Sequence, residues 1–203
     1  AKFNFFSDKT DILIKNISGR IKNLSIQDGD LTIDLDKEIT LKSNFVTSLI
    51  LEANEIKNYN SIYKDLKIVE NFKNLKATLN NNLLIIFDQT YKIKSYNLNS
   101  KGKIDNANFK NENNIKNYFN ETIEELSLKN TEIETNFNLE KIDIKANGKY
   151  SINKENFLKF DFKSKFSKED FFLNLIAKYD QLIQLDFINY EKPKGLVATI
   201  SVN

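Results

Sequence analysis

Along most of the chain the apolar side chains fall on every second residue, the spacing of strands that carry one apolar face and one polar face. The stretch from Leu139 to Phe166 shows it most plainly: Ile142, Ile144, Ala146, Gly148, Tyr150 and Ile152 alternate with polar residues. After a polar break at residues 153–156 the alternation resumes with Leu158, Phe160, Phe162 and, past Ser164, Phe166. Two such runs joined by a short polar turn predict an antiparallel hairpin.

The rest of the chain reads in the same way. A first strand is predicted at residues 2–6, with a polar turn at 7–10. Ile12 and Ile14 alternate, then Ile17, Gly19 and Ile21 follow on the opposite parity, which predicts a bulge at residues 15–17. Leu24 and Ile26 lead into residues 27–30, where the Asp28-Gly29 pair signals a hairpin with Leu31, Ile33 and Leu35 on its return strand. A turn at 36–38 precedes a strand from Ile39 and Leu41 through residues 45–51. Residues 53–72 mix helical and strand spacing.

Strand spacing returns with Leu75, Ala77 and Leu79, a turn of three asparagines at 80–82, and Leu83, Ile85 and Phe87. Tyr91 and Ile93, then Tyr96 and Leu98, change parity as at a second bulge. Residues 113–126 predict a short helix, with Ile115, Tyr118, Phe119, Ile123 and Leu126 on one side. Leu128, Ile133, Phe137 and Leu139 lead back into strands; beyond a turn at 168–171, Leu173, Leu175, Leu182, Leu185 and Phe187 extend the pattern. Pro193 sits in a turn at 191–195 before a final strand of Leu196, Ala198, Ile200 and Val202.

With one Pro and five Gly, the chain is poor in the residues that the tight turns of a compact sandwich demand. Polar turns of Asn, Asp and Lys suit a meander of successive antiparallel strands instead. Three short segments, Ser18-Gly19-Arg20-Ile21, Lys101-Gly102-Lys103-Ile104 and Asn147-Gly148-Lys149-Tyr150, echo one another. Gly inside a strand marks a bend, so the expected fold is all-β in the main: an extended, curved antiparallel sheet with one or two short helices.

A chain of 203 residues can bury a sizeable core as one domain, or form one section of something longer. It begins at Ala1, contains no Met and shows no signal-peptide pattern, which points to a single β-rich section, residues 1–203, cut from a longer repeating protein. The apolar run Leu83-Leu84-Ile85-Ile86-Phe87 is far short of the ~20 residues of a membrane-spanning helix. Thirty basic and 28 acidic residues are interspersed, and Arg20 is the one arginine, which argues against a nucleic-acid partner held by phosphate neutralisation. With neither Cys nor His there is no thiol nucleophile, no imidazole base and no zinc site of the usual ligands, so neither an enzyme nor a metal or cofactor is expected.

The segments IKNLSIQDGDLTIDLDKEITLKSNF, KIKSYNLNSKGKIDNANF and IDIKANGKYSI, with the Gly-basic-apolar echo and the run of one-faced strands, resemble the AsmA-like proteins of Gram-negative envelopes. The resemblance is closest to the large YhdP-type members and more distant to TamB. It is one of texture across most of the chain, and residues 53–72 fit it least. It implies a periplasmic β-sheet curled into a groove, anchored to the inner membrane by a helix outside this chain. It further implies a part in phospholipid transport between inner and outer membrane, with acyl chains as ligand and membrane components as partners through regions outside this chain.

On that reading the groove lining is Leu31, Ile33, Leu35, Ile142, Ile144, Tyr150, Ile152, Leu158, Phe160 and Phe162; an ordinary sandwich core would use the same residues. The carboxylate pairs Asp34 with Asp36 and Asp143 with Asp161 are read as solvated side chains rather than glycosidase acids. Asp28 and Asp30 are too few for a calcium loop. In FLKFDFKSKF alternation puts Phe160 and Phe162 on the face opposite the lysines, which argues against a base-stacking platform. Two other readings remain open: an extracellular, adhesin-like β-domain that binds protein or glycan through its polar face, and a lipopolysaccharide-bridge module.

Overall fold

The computed structural model describes residues 1–36, 38–52, 72–110 and 122–203. Strands β1 (Lys2–Ser7), β2 (Asp11–Ile21), β3 (Leu24–Asp34), β4 (Thr40–Glu52), β5 (Phe72–Phe87) and β6 (Ile93–Lys110) follow one another as a meander. The same sheet continues through β7 (Glu125–Asn138), β8 (Lys141–Ile152), β9 (Leu158–Ser167) and β10 (Phe171–Tyr179). Between β10 and the last strand a separate ribbon is inserted, built from β11 (Ile183–Leu185) and β12 (Tyr190–Lys192) around a 3-10 turn at Asp186–Ile188. The last strand, β13 (Ala198–Val202), returns to pair with β10. All eleven strands of the main sheet run antiparallel to their neighbours, and β1 and β13 remain as its two edges, so the sheet is all-β and open rather than a closed barrel.

The pairing puts the alternating apolar residues of every strand on one face. Ile142 stands opposite Phe137 and Phe166, and Ala146 opposite Ile133 and Phe162. Among the described residues the substantial contacts of each main-sheet strand are with its sheet neighbours. Among the described residues the buried hydrophobic side chains are Ala77, Ala107, Ala177, Tyr179 and Ile183, three of them alanines. A packed sandwich would bury its large aliphatic and aromatic residues instead.

Parity changes along the sequence become bulges in the sheet. The β2–β3 register shifts between Ile14 and Ile17, where Asn16 takes a φ of 55°. A second shift falls between Phe87 and Ile86 on β5, opposite Ile93 and Ser95. Each bulge adds twist and bends its strand.

Two predicted turns lie inside strands. Asp28-Gly29 is not a hairpin but a bulge within β3: Asp28 has a φ of 50°, Gly29 pairs with Ile17, and the register to β4 shifts between Gln27 and Asp30. The hairpin is at Lys22-Asn23, between Ile21 and its partner Leu24, with Lys22 at φ 52°. The three asparagines at 80–82 sit mid-strand in β5, paired with β4 and β6. Asn81 is buried on the apolar face, and its amide donates to the Phe45 carbonyl (3.2 Å), Thr47 Oγ1 (3.0 Å) and the Leu79 carbonyl (3.1 Å). Its Oδ1 accepts from Ser100 Oγ at 2.7 Å. Replacing Asn81 by leucine should therefore destabilise the protein by about 1–3 kcal/mol, read as a lower urea midpoint, because Ser100 loses its acceptor and the strand carbonyls their donor.

Of the predicted helix at 113–126, Glu125 and Leu126 belong to β7, and residues 113–121 lie outside the described set, as do residues 53–71. Among the described residues the one helical turn is Asp186–Ile188, and no helix is long and apolar enough to cross a membrane. Leu182, Leu185 and Phe187 do not extend the main sheet as expected; they belong to the ribbon and its approach. The ribbon is held by Lys192, whose buried ammonium donates to the carbonyls of Gln181 (2.6 Å), Leu196 (2.6 Å) and Pro193 (3.1 Å).

The two rims of the sheet differ. At one rim the connections are short and side-chain capped: Asp8 Oδ1 accepts from the Thr10 and Asp11 amides, both at 2.8 Å, and Asn138 Oδ1 from Glu140 and Lys141, both at 3.0 Å. Asp88 caps a third such turn through Thr90 and Lys92. These donors hold the Asp8 carboxyl below its ordinary range, chiefly through the Thr10 amide, and that of Asp88 chiefly through the Thr90 hydroxyl. The opposite rim carries the Lys22-Asn23 turn, the turn at 153–157 and the ribbon between β10 and β13.

Candidate functional site

The face built by the alternating residues is the candidate site. Leu31 and Ile33 lie on β3, and Leu35 just past its end, exposed, its backbone amide bonded to the Thr10 carbonyl. Ile142, Ile144, Tyr150 and Ile152 lie on β8 and Leu158, Phe160 and Phe162 on β9, all on the same face as the β3 group. Five strand spacings of ~4.8 Å separate β3 from β8, so the two groups stand roughly 24 Å apart.

The register joins them. One row runs Phe5, Ile14, Leu31, Ser43, Leu83, Leu98, Phe137, Ile142, Phe166 and Phe171, one residue from each of ten successive strands. Ser43 is its one polar member. Leu83, Leu98 and Phe137 are thus as much part of the face as the ten residues singled out by alternation. Their parity was visible in the sequence; their alignment with Leu31 and Ile142 needed the pairing.

Aromatic side chains line the β8–β10 end. Tyr150 and Phe160 meet edge to face at 6.1 Å and 89°, and Phe166 and Phe171 at 6.0 Å and 69°. The Tyr150 hydroxyl donates to the Lys178 carbonyl at 2.7 Å, which leaves its ring on the apolar face. No family model, curated protein or solved structure matches this chain. The site therefore has to be read from its own geometry.

That geometry is an apolar wall with little over it among the described residues. Leu31, Ile33, Ile142, Ile144, Tyr150, Ile152, Leu158, Phe160 and Phe162 are all half-buried, and Phe5, Phe166 and Phe171 are exposed. Among the described residues this half-burial comes from side-by-side neighbours within one sheet face. A contiguous apolar face that runs across ten strands marks an interaction or ligand-binding surface. Its chemistry is that of a surface for hydrocarbon: no charged residue stands in the row, and among the described residues no group of acids that could hold a metal ion exists.

The opposite face is polar and holds two open depressions. One of about 760 Å³ is lined by Thr78, Asn80, Lys101, Glu132, Lys145 and Asp161 among others, and one of about 510 Å³ by Asn99, Asn136, Asp143, Lys163, Lys165 and Phe172 among others. Ile144 and Phe162 also border these depressions, although their side chains belong to the apolar row set. Asp143 and Asp161 lie two register rows apart there, each beside a lysine: Lys141 Nζ is 3.0 Å from Asp143 and Lys163 Nζ 3.6 Å from Asp161. Asp161 is an ion-paired surface carboxylate, whereas Asp143 is half-buried: its Oδ2 meets Lys141 and its Oδ1 is buried with no hydrogen-bond partner among the described residues.

Proposed function

We propose that this chain is a non-enzymatic section of a β-sheet that shelters lipid acyl chains and supports phospholipid transport between membranes, in the manner of the AsmA-like envelope proteins it resembles. The observation that carries the reading is the row from Phe5 to Phe171, an apolar path across ten strands whose side chains are half-buried or exposed, with no second layer over them among the described residues. Each CH₂ of an acyl chain laid on such a wall gains ~0.8 kcal/mol relative to water. The path has no polar barrier beyond Ser43, so a chain can move along it without breaking hydrogen bonds. A closed adhesin-like domain would instead bury its large apolar residues, and the buried set here consists mainly of alanines. The periplasmic setting and the inner-membrane anchor belong to the same proposal.

The test is photo-crosslinking in cells from Leu98, Ile144 and Phe160, with Lys145 on the polar face as control. Lipid adducts from the three apolar positions and none from Lys145 are expected. Adducts from none of the four, in cells where a known lipid carrier yields them, would end the proposal.

A further inference from the structure

On the polar face the register sets lysines side by side. Lys129 of β7 stands opposite Lys149 of β8, and Lys149 opposite Lys159 of β9. Ala177 pairs with Phe160, which puts Lys178 of β10 beside Lys159 in the same row. Two rows along, Lys145 directly faces Lys163. Strand spacing makes the four-lysine row about 15 Å long. Like charges placed directly opposite one another destabilise a sheet, so the arrangement works against folding.

The four-lysine row itself contains no acid, whereas the rows beside it are mixed: Glu134 stands opposite Lys145, and Asp161 pairs with Lys163. Strands β8 and β9 carry six lysines and two aspartates, all on this face. Among the described residues Lys145, Lys149 and Lys159 have no carboxylate within ion-pair distance. Lys129 Nζ lies 5.5 Å from the centre of the Phe157 ring, and Lys178 Nζ donates to Thr199 Oγ1 at 2.7 Å. Beside the row lie the two depressions, which share Glu134, Lys145 and Lys163 and so form one trough.

We propose that the four-lysine row binds the acidic groups of a linear anionic glycan, a polysaccharide that bears carboxylate or phosphate groups along its length, while the trough beside it, where lysines alternate with Glu132, Glu134, Asp143 and Asp161, meets its hydroxyls. Charges repeated along a chain match point charges repeated along a row, and lysine ammoniums are compact donors that make no demand for a planar, bidentate partner. The amides of Asn80, Asn99, Asn136 and Asn147 along the trough supply donors and acceptors for sugar hydroxyls. A nucleic acid would also meet the charges, but the β9 phenylalanines that could stack its bases face the other way. A flat bilayer would meet the lysines but make no use of the asparagine amides along the trough. The inference is independent of the acyl-chain reading, since it uses the opposite face.

The experiment is a calorimetric titration with polygalacturonate at low and high salt, against neutral dextran, single-stranded DNA and anionic phospholipid vesicles. Polygalacturonate should bind, weakening as salt rises, and dextran should not. The double variant Lys149→Glu with Lys159→Glu should lose roughly tenfold or more in affinity through removal and reversal of two contacts. The matched variant Lys9→Glu with Lys15→Glu, the same charge change on β2 and its turn, should bind as the parent does. Lys149→Gln with Lys159→Gln removes the repulsion and should fold at least as well as the parent while still binding more weakly, which covers failure of the reversed pair to fold. Equal loss in the two charge-reversed proteins would reduce the effect to net charge and overturn the proposal. Tighter binding of DNA or vesicles than of polygalacturonate would overturn it as well.

Discussion

Alanine at Gly102 should lower the thermal midpoint by roughly 10 °C, and alanine at Gly19 should leave it unchanged or slightly raised. A Cβ at Gly102 would overlap the Thr78 carbonyl oxygen and lie 2.9 Å from Leu79 Cα and 3.0 Å from Thr78 C. The obstacle is the backbone of the paired strand, which can retreat only by loosening the β5–β6 register near the middle of the sheet. At Gly148 the added carbon would meet the fully buried Thr131, 2.6 Å from its Cα. At Gly19 the nearest atoms belong to Ala1 at 3.5 Å, an ordinary contact. Overpacking of side chains typically costs 1–3 kcal/mol, and backbone overlap belongs at or above the top of that range. About 3 kcal/mol in a chain of this size corresponds to the stated midpoint shift, since each kcal/mol moves it by ~2–4 °C. The Gly19 change removes a flexible residue from the unfolded chain with no clash to offset the gain. Equal midpoints for Gly19→Ala and Gly102→Ala, followed by circular dichroism, would show that the close approach at Gly102 is not there.

Lysine at both Ile144 and Phe160 should leave the protein folded and, on the acyl-chain proposal, abolish lipid binding. The two residues are half-buried, on adjacent strands of the apolar face. On an uncovered wall each lysine stem lies along its neighbours while the ammonium reaches water, so the pair costs only about 1–2 kcal/mol in lost apolar contact. In a sealed core the same two charges would be desolvated without partners and cost several kcal/mol each, enough to unfold a domain of ordinary stability. Chemical denaturation measures the stability cost, and native mass spectrometry of the purified protein measures the bound lipid. A variant that fails to fold would mean that the face is covered, and the acyl-chain proposal would fall with it.

Much of the wall was legible from alternation, because neighbouring side chains on a strand must point to opposite faces whatever the strand pairs with. Phe160 and Phe162 therefore separate from Lys159 and Lys163 without any structure. The bulge at Asn16 was legible too, since an extra residue inverts the parity of every later position in the strand. Asp28-Gly29 and the asparagines at 80–82 misled for one shared reason: residues that tolerate turns also tolerate strand interiors when something distant rewards them. A positive φ serves a bulge as well as a hairpin, and Asn81 is satisfied by Phe45 and Thr47, 36 and 34 residues away. The Lys22-Asn23 hairpin offered no glycine to announce it.

The lysine row shows the same division on the polar face. Lys129, Lys149, Lys159 and Lys178 are spread over four strands of a sequence whose charges look evenly mixed, and only three successive pairings bring them into line.

What the amino-acid order determined alone is the two-sidedness of each strand, because that depends on a backbone period of two residues and nothing else. Which strands stand next to which, in what register, and hence that Leu31 and Phe171 share one apolar path while four lysines share one charged row, was decided in the tertiary structure. Those choices are made by hydrogen bonds between residues remote in the chain, and no local spacing encodes them.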